Sequence, residues 1–336
     1  MDTVKVLLLL GWIVICSAVS SRFLDNEWNT WKTKYGKSYA NLEQERIRRE
    51  NWEASRIKVL EHNQLADEGK KSFRLEMNHF ADMSSEERRS KSCLLPTQPR
   101  EPKLQKHSRK PALKIPEEVD WRKENCVSPI RNQGQYCGSC WAFATVAAME
   151  SRYCIKFKEL VKLSEQQLVD CDHDTGNDGC CGGLPKFAFR YISENGLMKR
   201  KDYEYKERTN ECHYESGDIL KMNMSKYYVI PDEENMAVAV AFEGPVTVGI
   251  AVHEDFQMFK GDGIYDGECG EDMNHAIVIV GYGKENGKDY WIIRNSWGED
   301  WADGGYGKVL RNENHCKIGE ESSTADILGP LDIPKW

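Results

Sequence analysis

The residues with the plainest capacity for chemistry are a cysteine and a histidine, in that order along the chain. Cys140 lies in the run Cys137-Gly-Ser-Cys140-Trp141. Ser139 is a good helix N-cap, and Trp141, Ala142, Phe143, Ala144, Val146, Ala147 and Ala148 are small or apolar, so Cys140 is expected to open a helix. The partial positive charge of a helix N-terminus and a nearby imidazolium both lower a thiol pKa, giving an attacking thiolate at neutral or acidic pH. Of eight histidines, His275 stands out because it heads an apolar, strand-like run about 135 residues after Cys140. Cys137 and Cys140 have two rival uses, a redox pair or half of a zinc site. Redox use would call for a preceding parallel strand in a βαβ unit, and zinc for a second ligand pair, which Cys180 and Cys181 do not convincingly supply. No metal or other cofactor is therefore expected.

These residues need elements to hold them, and 336 residues are ample for two or three domains. Val4 to Val19 is almost wholly apolar, too short to favour a spanning helix, and is followed by small residues near Ser20. Residues 1–20 are expected to be a secretory signal, with a signal anchor as the alternative because only Lys5 and the amino terminus oppose Asp2. That route makes disulfides available to the twelve cysteines. Leu24 to about Glu68 is charged and periodic, with Trp28, Trp31, Tyr35, Ile47, Trp52 and Val59 spaced as helix faces require. Residues 91–114 carry several prolines and little apolar periodicity, as an exposed and cleavable linker would. Beyond Ile115 come a helix candidate from Ser139 to about Phe157, a Gly- and Cys-rich region, and short β-rich runs at Val246 to Val252, Ala276 to Val280 and Tyr290 to Ile293. Net charge divides the same way, roughly +7 over residues 21–114 and about −15 over 115–336, which favours association of the two parts. Neither nucleic acid nor stable membrane insertion is expected, and the chain is expected to be a monomer.

Several ordered motifs extend the argument. Residues 115–122 read Ile-Pro-Glu-Glu-Val-Asp-Trp-Arg, and Asn132-Gln-Gly134 precedes the nucleophile run. Leu163-Ser-Glu-Gln-Gln-Leu-Val-Asp-Cys171, Cys181-Gly-Gly183, Asn274-His-Ala276 and Asn295-Ser-Trp-Gly298 follow. On these motifs residues 115–336 resemble the papain family of cysteine proteases, in its cathepsin L-like branch. The resemblance implies an α+β, papain-like two-domain fold, with a helical left domain, a β-barrel-like right domain and an active-site cleft between them. It implies Cys140 as nucleophile, His275 as the base that later protonates the leaving amine, Asn295 orienting the imidazole, and Trp297 shielding that contact beside the substrate. Gln133 would serve with the Cys140 N–H as oxyanion donor. Gly134-Gln135-Tyr136 is one residue longer than the family's usual interval here, so Gln135 remains an alternative. The implied disulfides are Cys137–Cys180, Cys171–Cys212 and Cys269–Cys316. Cys126–Cys154 is a possible addition, and Cys181 replaces the family's usual residue and is left over.

The same resemblance places Gly182, Gly183, Leu184, Gly249, Ala276 and Glu321 around substrate. Glu321 stands at the base of the pocket for the second side chain before the cleaved bond. The pocket walls look apolar, suiting leucine or phenylalanine, and the carboxylate offers a partner for arginine unless it points to solvent beside Glu320. No inserted histidine-rich loop of the kind that makes cathepsin B a dipeptide remover is present, so endopeptidase action on proteins and peptides is favoured.

In the leader, Gln44, Arg48, Trp52, Ser55, Val59 and Asn63 fall at the spacings of the inhibitor propeptide of cathepsin L-like precursors, three of them as substitutes. Glu76-Met-Asn78-His-Phe80-Ala-Asp82 resembles the family's Gly-x-Asn-x-Phe-x-Asp segment, with Glu76 replacing the glycine. A zymogen is implied, its own leader acting as intramolecular inhibitor until the linker is cut before Ile115. Asn223-Met-Ser225 is an N-glycosylation acceptor consistent with a secretory route to a lysosomal or extracellular destination.

Overall fold

The computed structural model describes residues 22–90, 94–95, 105–106, 114–213, 219–220 and 224–327. Residues 1–20, Asn223 and most of the 91–114 linker lie outside the described residues.

The leader opens with helix α1 (residues 22–34), turns at Gly36, where φ is +60°, and continues as α2 (Leu42–Asp67). The single periodic stretch expected from sequence is thus two helices. Asn41 explains the restart: its side chain accepts from the Gln44 N–H at 2.9 Å while Gln44 Oε1 accepts from the Ala40 N–H at 2.7 Å, a reciprocal cap. Trp28, Trp31 and Trp52 form the seam between α1 and α2. Ile47, expected on that face, is instead exposed, and the buried row of α2 is Trp52, Ser55, Val59 and His62. A short strand β1 (Phe73–Leu75) and helix α3 (Ser85–Ser90) follow. The linker departs from expectation where it is described. Leu94 is buried, and β2 (Gln105–Lys106) pairs in parallel with a later strand, β6 (Met224–Ile230).

After β3 (Val119–Asp120), three helices gather around one core: α4 (Cys140–Phe157), α5 (Glu165–Cys171) and α6 (Pro185–Asn195). Their interior holds Trp141, Met149, Leu163, Leu168, Phe189 and Ile192. Strands β4 (Leu197–Met198) and β5 (Ile219–Leu220) pair beside it. The remainder alternates β6 (Met224–Ile230), α7 (Glu233–Phe242), β7 (Val246–Ile250), α8 (Glu254–Gln257), β8 (Phe259–Gly263), β9 (His275–Glu285), β10 (Lys288–Arg294), β11 (Tyr306–Leu310) and β12 (Ser322–Ile327). Its main sheet runs β11-β10-β9-β7-β12-β6-β2, with β3 added on β9. Val248, Ile277, Trp291 and Ile293 belong to the second core. Strand β9 joins the two lobes: Ile277 and Ile279 face this second core, while Ala276, Val278 and Val280 face the helical one. The period-two alternation of a strand with both faces buried explains its continuous apolar sequence.

Disulfides join Cys137–Cys180, Cys171–Cys212, Cys269–Cys316 and Cys126–Cys154. Cys181 carries an exposed thiol and Cys140 a buried one.

Candidate active site

Cys140 is the first residue of α4, and His275 the first residue of β9, on which α4 packs. Thiol and imidazole are thus each fixed at an element end, at the junction of the lobes. Ser139 occupies the N-cap position without capping. Its hydroxyl is instead 2.7 Å from the Tyr205 hydroxyl, which in turn donates to the Gln133 carbonyl at 2.7 Å.

His275 Nε2 lies 2.8 Å from Asn295 Oδ1, which also accepts from the Ser296 N–H at 2.8 Å. With an amide oxygen facing it, Nε2 must carry the proton, so the neutral ring keeps its lone pair on Nδ1. Nδ1 has no hydrogen-bond partner among the described residues. Trp297 stacks on the imidazole at 4.4 Å between centroids with planes 21° apart, and is itself backed by Phe256 and Trp301. It excludes water from the His275–Asn295 bond. Burial lowers the His275 pKa to about 4, opposed in part by the bond to Asn295. In the closed precursor the ring is therefore neutral across the physiological range.

The two glutamines are clearly separated. Gln133 is buried, donates from Nε2 to the Cys137 carbonyl at 3.3 Å and accepts at Oε1 from the Ser296 hydroxyl at 2.7 Å. Gln135 is exposed, and the longer loop bulges around the Glu207 carboxylate, which accepts the N–H groups of Gln135 and Tyr136. Just before this loop, Arg131 ties the segment to α4 through Glu150 at 2.7 Å and to α5 through Glu165. Both carboxylates are buried, and breaking such a pair typically costs about 3–5 kcal/mol. Sequence reading singled out none of Arg131, Glu150, Glu165, Tyr205, Ser296 or Glu207 for this task. Glu150 left a local trace, as the single acid in α4.

The predicted substrate positions Leu184, Gly249, Ala276 and Glu321 are all buried: Leu184 and Ala276 share the helical core with the leader's Leu94, and Gly249 lies against both Leu94 and Glu321. A Cβ on Gly249 would stand 3.0 Å from Leu94 Cδ2 and 3.1 Å from Glu321 Cβ, so the missing side chain makes the room. Gly183 must also be glycine, since a Cβ there would meet Asn177 Oδ1 at 2.5 Å and the Trp141 ring at 2.6 Å. Gly182, beside it, has φ at 129°. Backbone bonds hold Leu94 in place: its N–H donates to the Asn274 carbonyl at 3.0 Å, and the Leu95 N–H to the Gly183 carbonyl at 3.4 Å. Glu320 is exposed and bonded to Asn314, whereas Glu321 points inward. Its Oε2 accepts from Lys186 Nζ at 3.0 Å, a partner that sequence reading did not foresee.

The leader reaches this site by strand addition. β1 pairs antiparallel with β8, Phe73 opposite Gly263 and Leu75 opposite Phe259. Asn63 of α2 brackets Leu75 with two bonds of 2.9 Å. Asn78 donates to the Gln257 carbonyl at 2.8 Å, and Phe80 meets Trp297 edge to face at 5.2 Å. Asp82 stays within the leader, accepting from Lys37 at 2.8 Å and Tyr39 at 2.9 Å. Arg48 grips Glu87 with both terminal guanidinium nitrogens, and Ser55 accepts from Arg88, whose carbonyl accepts from Gln257 at 2.8 Å.

A buried imidazole paired to an amide, a thiol opening the helix that packs on the same strand, and a leader that adds a strand and packs on Trp297 fit an inhibited cysteine protease. Residues 115–325 match the model of the papain family cysteine protease, residues 28–87 that of the cathepsin propeptide inhibitor domain (I29), and the chain belongs to the papain family. It is 39% identical to cathepsin S of Bos taurus over 95% of this chain and all of that protein. It is 40% identical to cathepsin J of Rattus norvegicus, over 94% of this chain and 98% of that protein. Among solved structures, digestive procathepsin L 3 from the larval midgut of Tenebrio molitor superposes with a TM-score of 0.83 at 34% identity, covering 90% of this chain and 99% of that one. The protein is therefore a cysteine endopeptidase of the cathepsin type, made as a zymogen with its inhibitor attached. Among the described residues, no helix is long and apolar enough to cross a membrane.

Proposed function

We propose that Cys140 and His275 cleave peptide bonds by acyl transfer, and the observation that carries this is the Trp297-covered bond between His275 Nε2 and Asn295. It leaves Nδ1 to take the thiol proton, so the thiolate attacks the carbonyl carbon while Asn295 holds the ring. The resulting oxyanion is held by the Cys140 N–H and Gln133 Nε2, released from the Cys137 carbonyl. The imidazolium then protonates the leaving amine, and water, deprotonated by His275, hydrolyses the thioester. The second residue before the cleaved bond enters the pocket of Leu184, Gly249, Ala276 and Glu321, where Leu94 now sits, so an apolar side chain is favoured.

In this reading residues 1–20 direct secretion and are removed, residues 21–114 are the inhibitor with its linker, and residues 115–336 are the mature monomer. Carbohydrate at Asn223 and a lysosomal or extracellular destination accord with that route. Acid treatment of the precursor tests the whole scheme. Peptide hydrolysis is expected from the native chain and none from Cys140→Ala, and equal hydrolysis in both refutes the mechanism. Sequencing the processed N-terminus checks that the cut falls before Ile115.

A further inference from the structure

We infer that Asp172 is a positioning residue for substrate binding: buried behind the Gly182–Gly183 edge of the cleft, its carboxylate fixes the Asn177 amide, which in turn holds that edge in place for the substrate backbone. The inference rests on the active-site reading above and adds a residue to it.

Asp172 directly follows α5 and is fully buried, and Asn177 and Leu184 are nearly so. Asp172 Oδ2 accepts from Asn177 Nδ2 at 2.6 Å, and Oδ1 accepts from the Thr175 hydroxyl. Asn177 Oδ1 accepts in turn from the Leu184 N–H at 2.7 Å. That oxygen stands only 2.5 Å from the position a Gly183 Cβ would take, so the Asn177 amide is the wall behind this glycine. The Asp178 N–H donates to the Gly182 carbonyl at 2.8 Å and closes the loop, while the Trp141 indole donates to the Gly179 carbonyl at 3.2 Å and ties the loop to the residue after the nucleophile. The open side of the edge is where the leader lies: Leu94 bridges to Gly183, and the Leu95 N–H reaches the Gly183 carbonyl.

The charge of Asp172 decides which way the amide points. An ionised carboxylate can only accept, so Asn177 must turn its NH₂ toward Asp172, which leaves its oxygen for the Leu184 N–H. The flipped amide would set oxygen against oxygen and NH₂ against N–H. A neutral acid tolerates both orientations, because its own O–H can donate to the amide oxygen, and the bonds it accepts are only about half as strong as charge-assisted ones. Burial raises the Asp172 pKa from 3.8 to about 6, opposed by the bonds from Thr175 and Asn177; of its charged neighbours, His173 lowers it and Asp174 raises it. The orientation is therefore locked above pH 6 and relaxed below it.

The test is steady-state hydrolysis of a fluorogenic dipeptide by the acid-matured enzyme. Asp172→Ala should raise KM by about tenfold at about pH 7 while kcat stays within about twofold, the pattern of lost substrate binding. Asp172→Asn keeps the volume and an acceptor but removes the charge. Its KM should be about threefold above wild type at about pH 7 and equal to wild type at about pH 4.5. This arm keeps the test decisive if Asp172→Ala does not fold. A merely structural role would lower the amount of active enzyme, and so kcat, with KM unmoved. That result overturns the inference, as does an unchanged KM in both variants or an Asp172→Asn deficit of the same size at both pH values. Hydrolysis that persists in a Cys140→Ala background would instead refute the active-site reading.

Discussion

At the scale of single residues, the site depends on which glutamine reaches the oxyanion. Gln133→Ala is expected to lower kcat by about 10²- to 10³-fold with little change in KM, the usual result of removing one oxyanion donor. Gln135→Ala, on an exposed bulge, should remain within about twofold of wild type in the same steady-state assay. The motif alone left both glutamines open, because one extra residue precedes Cys137 and the path of a bulge depends on what it closes against. What it closes against is Glu207, some seventy residues away. For the same reason Tyr205 and Ser296 were invisible as supports of Gln133, and Lys186 as the partner of Glu321. Cys140, His275 and Asn295 were legible because each carries its local context with it: a helix start, a strand start and a run of neighbours that matches in order.

At the scale of elements, the leader works through a short strand and the helix that aims it. Asn63 satisfies both backbone groups of Leu75, so Asn63→Ala leaves an N–H and a C=O of β1 without those partners at about 1–3 kcal/mol each. The Asn63→Ala precursor should therefore process itself at a higher pH than wild type, which gel analysis of a pH series reads directly; an unchanged threshold would remove Asn63 from the docking device. The helices were largely legible from periodicity, but the break before Asn41 that divides the leader into two was not. The strand was not, since three residues carry too little pattern and β1 acquires its pairing only from β8. The linker was misjudged for a related reason: Leu94 is a lone apolar residue without periodicity, and its burial comes entirely from the pocket that receives it.

At the scale of the whole molecule, two groups titrate against each other. Burial lowers the His275 pKa from 6.5 to about 4, so its neutral form supports the closed precursor above pH 6.5, and that support is lost as pH falls toward 4. Burial raises the Glu76 pKa from 4.5 to about 7 at the contact between leader and enzyme, where Lys34, Lys260, Asp262 and Asp300 also face it. Its contribution has the opposite sign, being fully present below 4.5 and lost as pH rises through 7. The two windows overlap and offset each other. Glu76→Gln, placed in a Cys140→Ala precursor to prevent self-cleavage, should raise the thermal midpoint at pH 7.5 and make it fall more steeply on acidification; a profile parallel to that of the parent would show that Glu76 has no such role. The pairing of β1 with β8 also has a consequence in time. Once the leader is cut away, the donors and acceptors along that side of Phe259–Gly263 lose their partners beside a newly bared aromatic surface that includes Trp297. A cleaved leader fragment that keeps this strand can refill the vacancy, so the first enzyme molecules released should be held back by the fragments around them. Activation should accordingly begin with a lag and then accelerate as the leader is consumed.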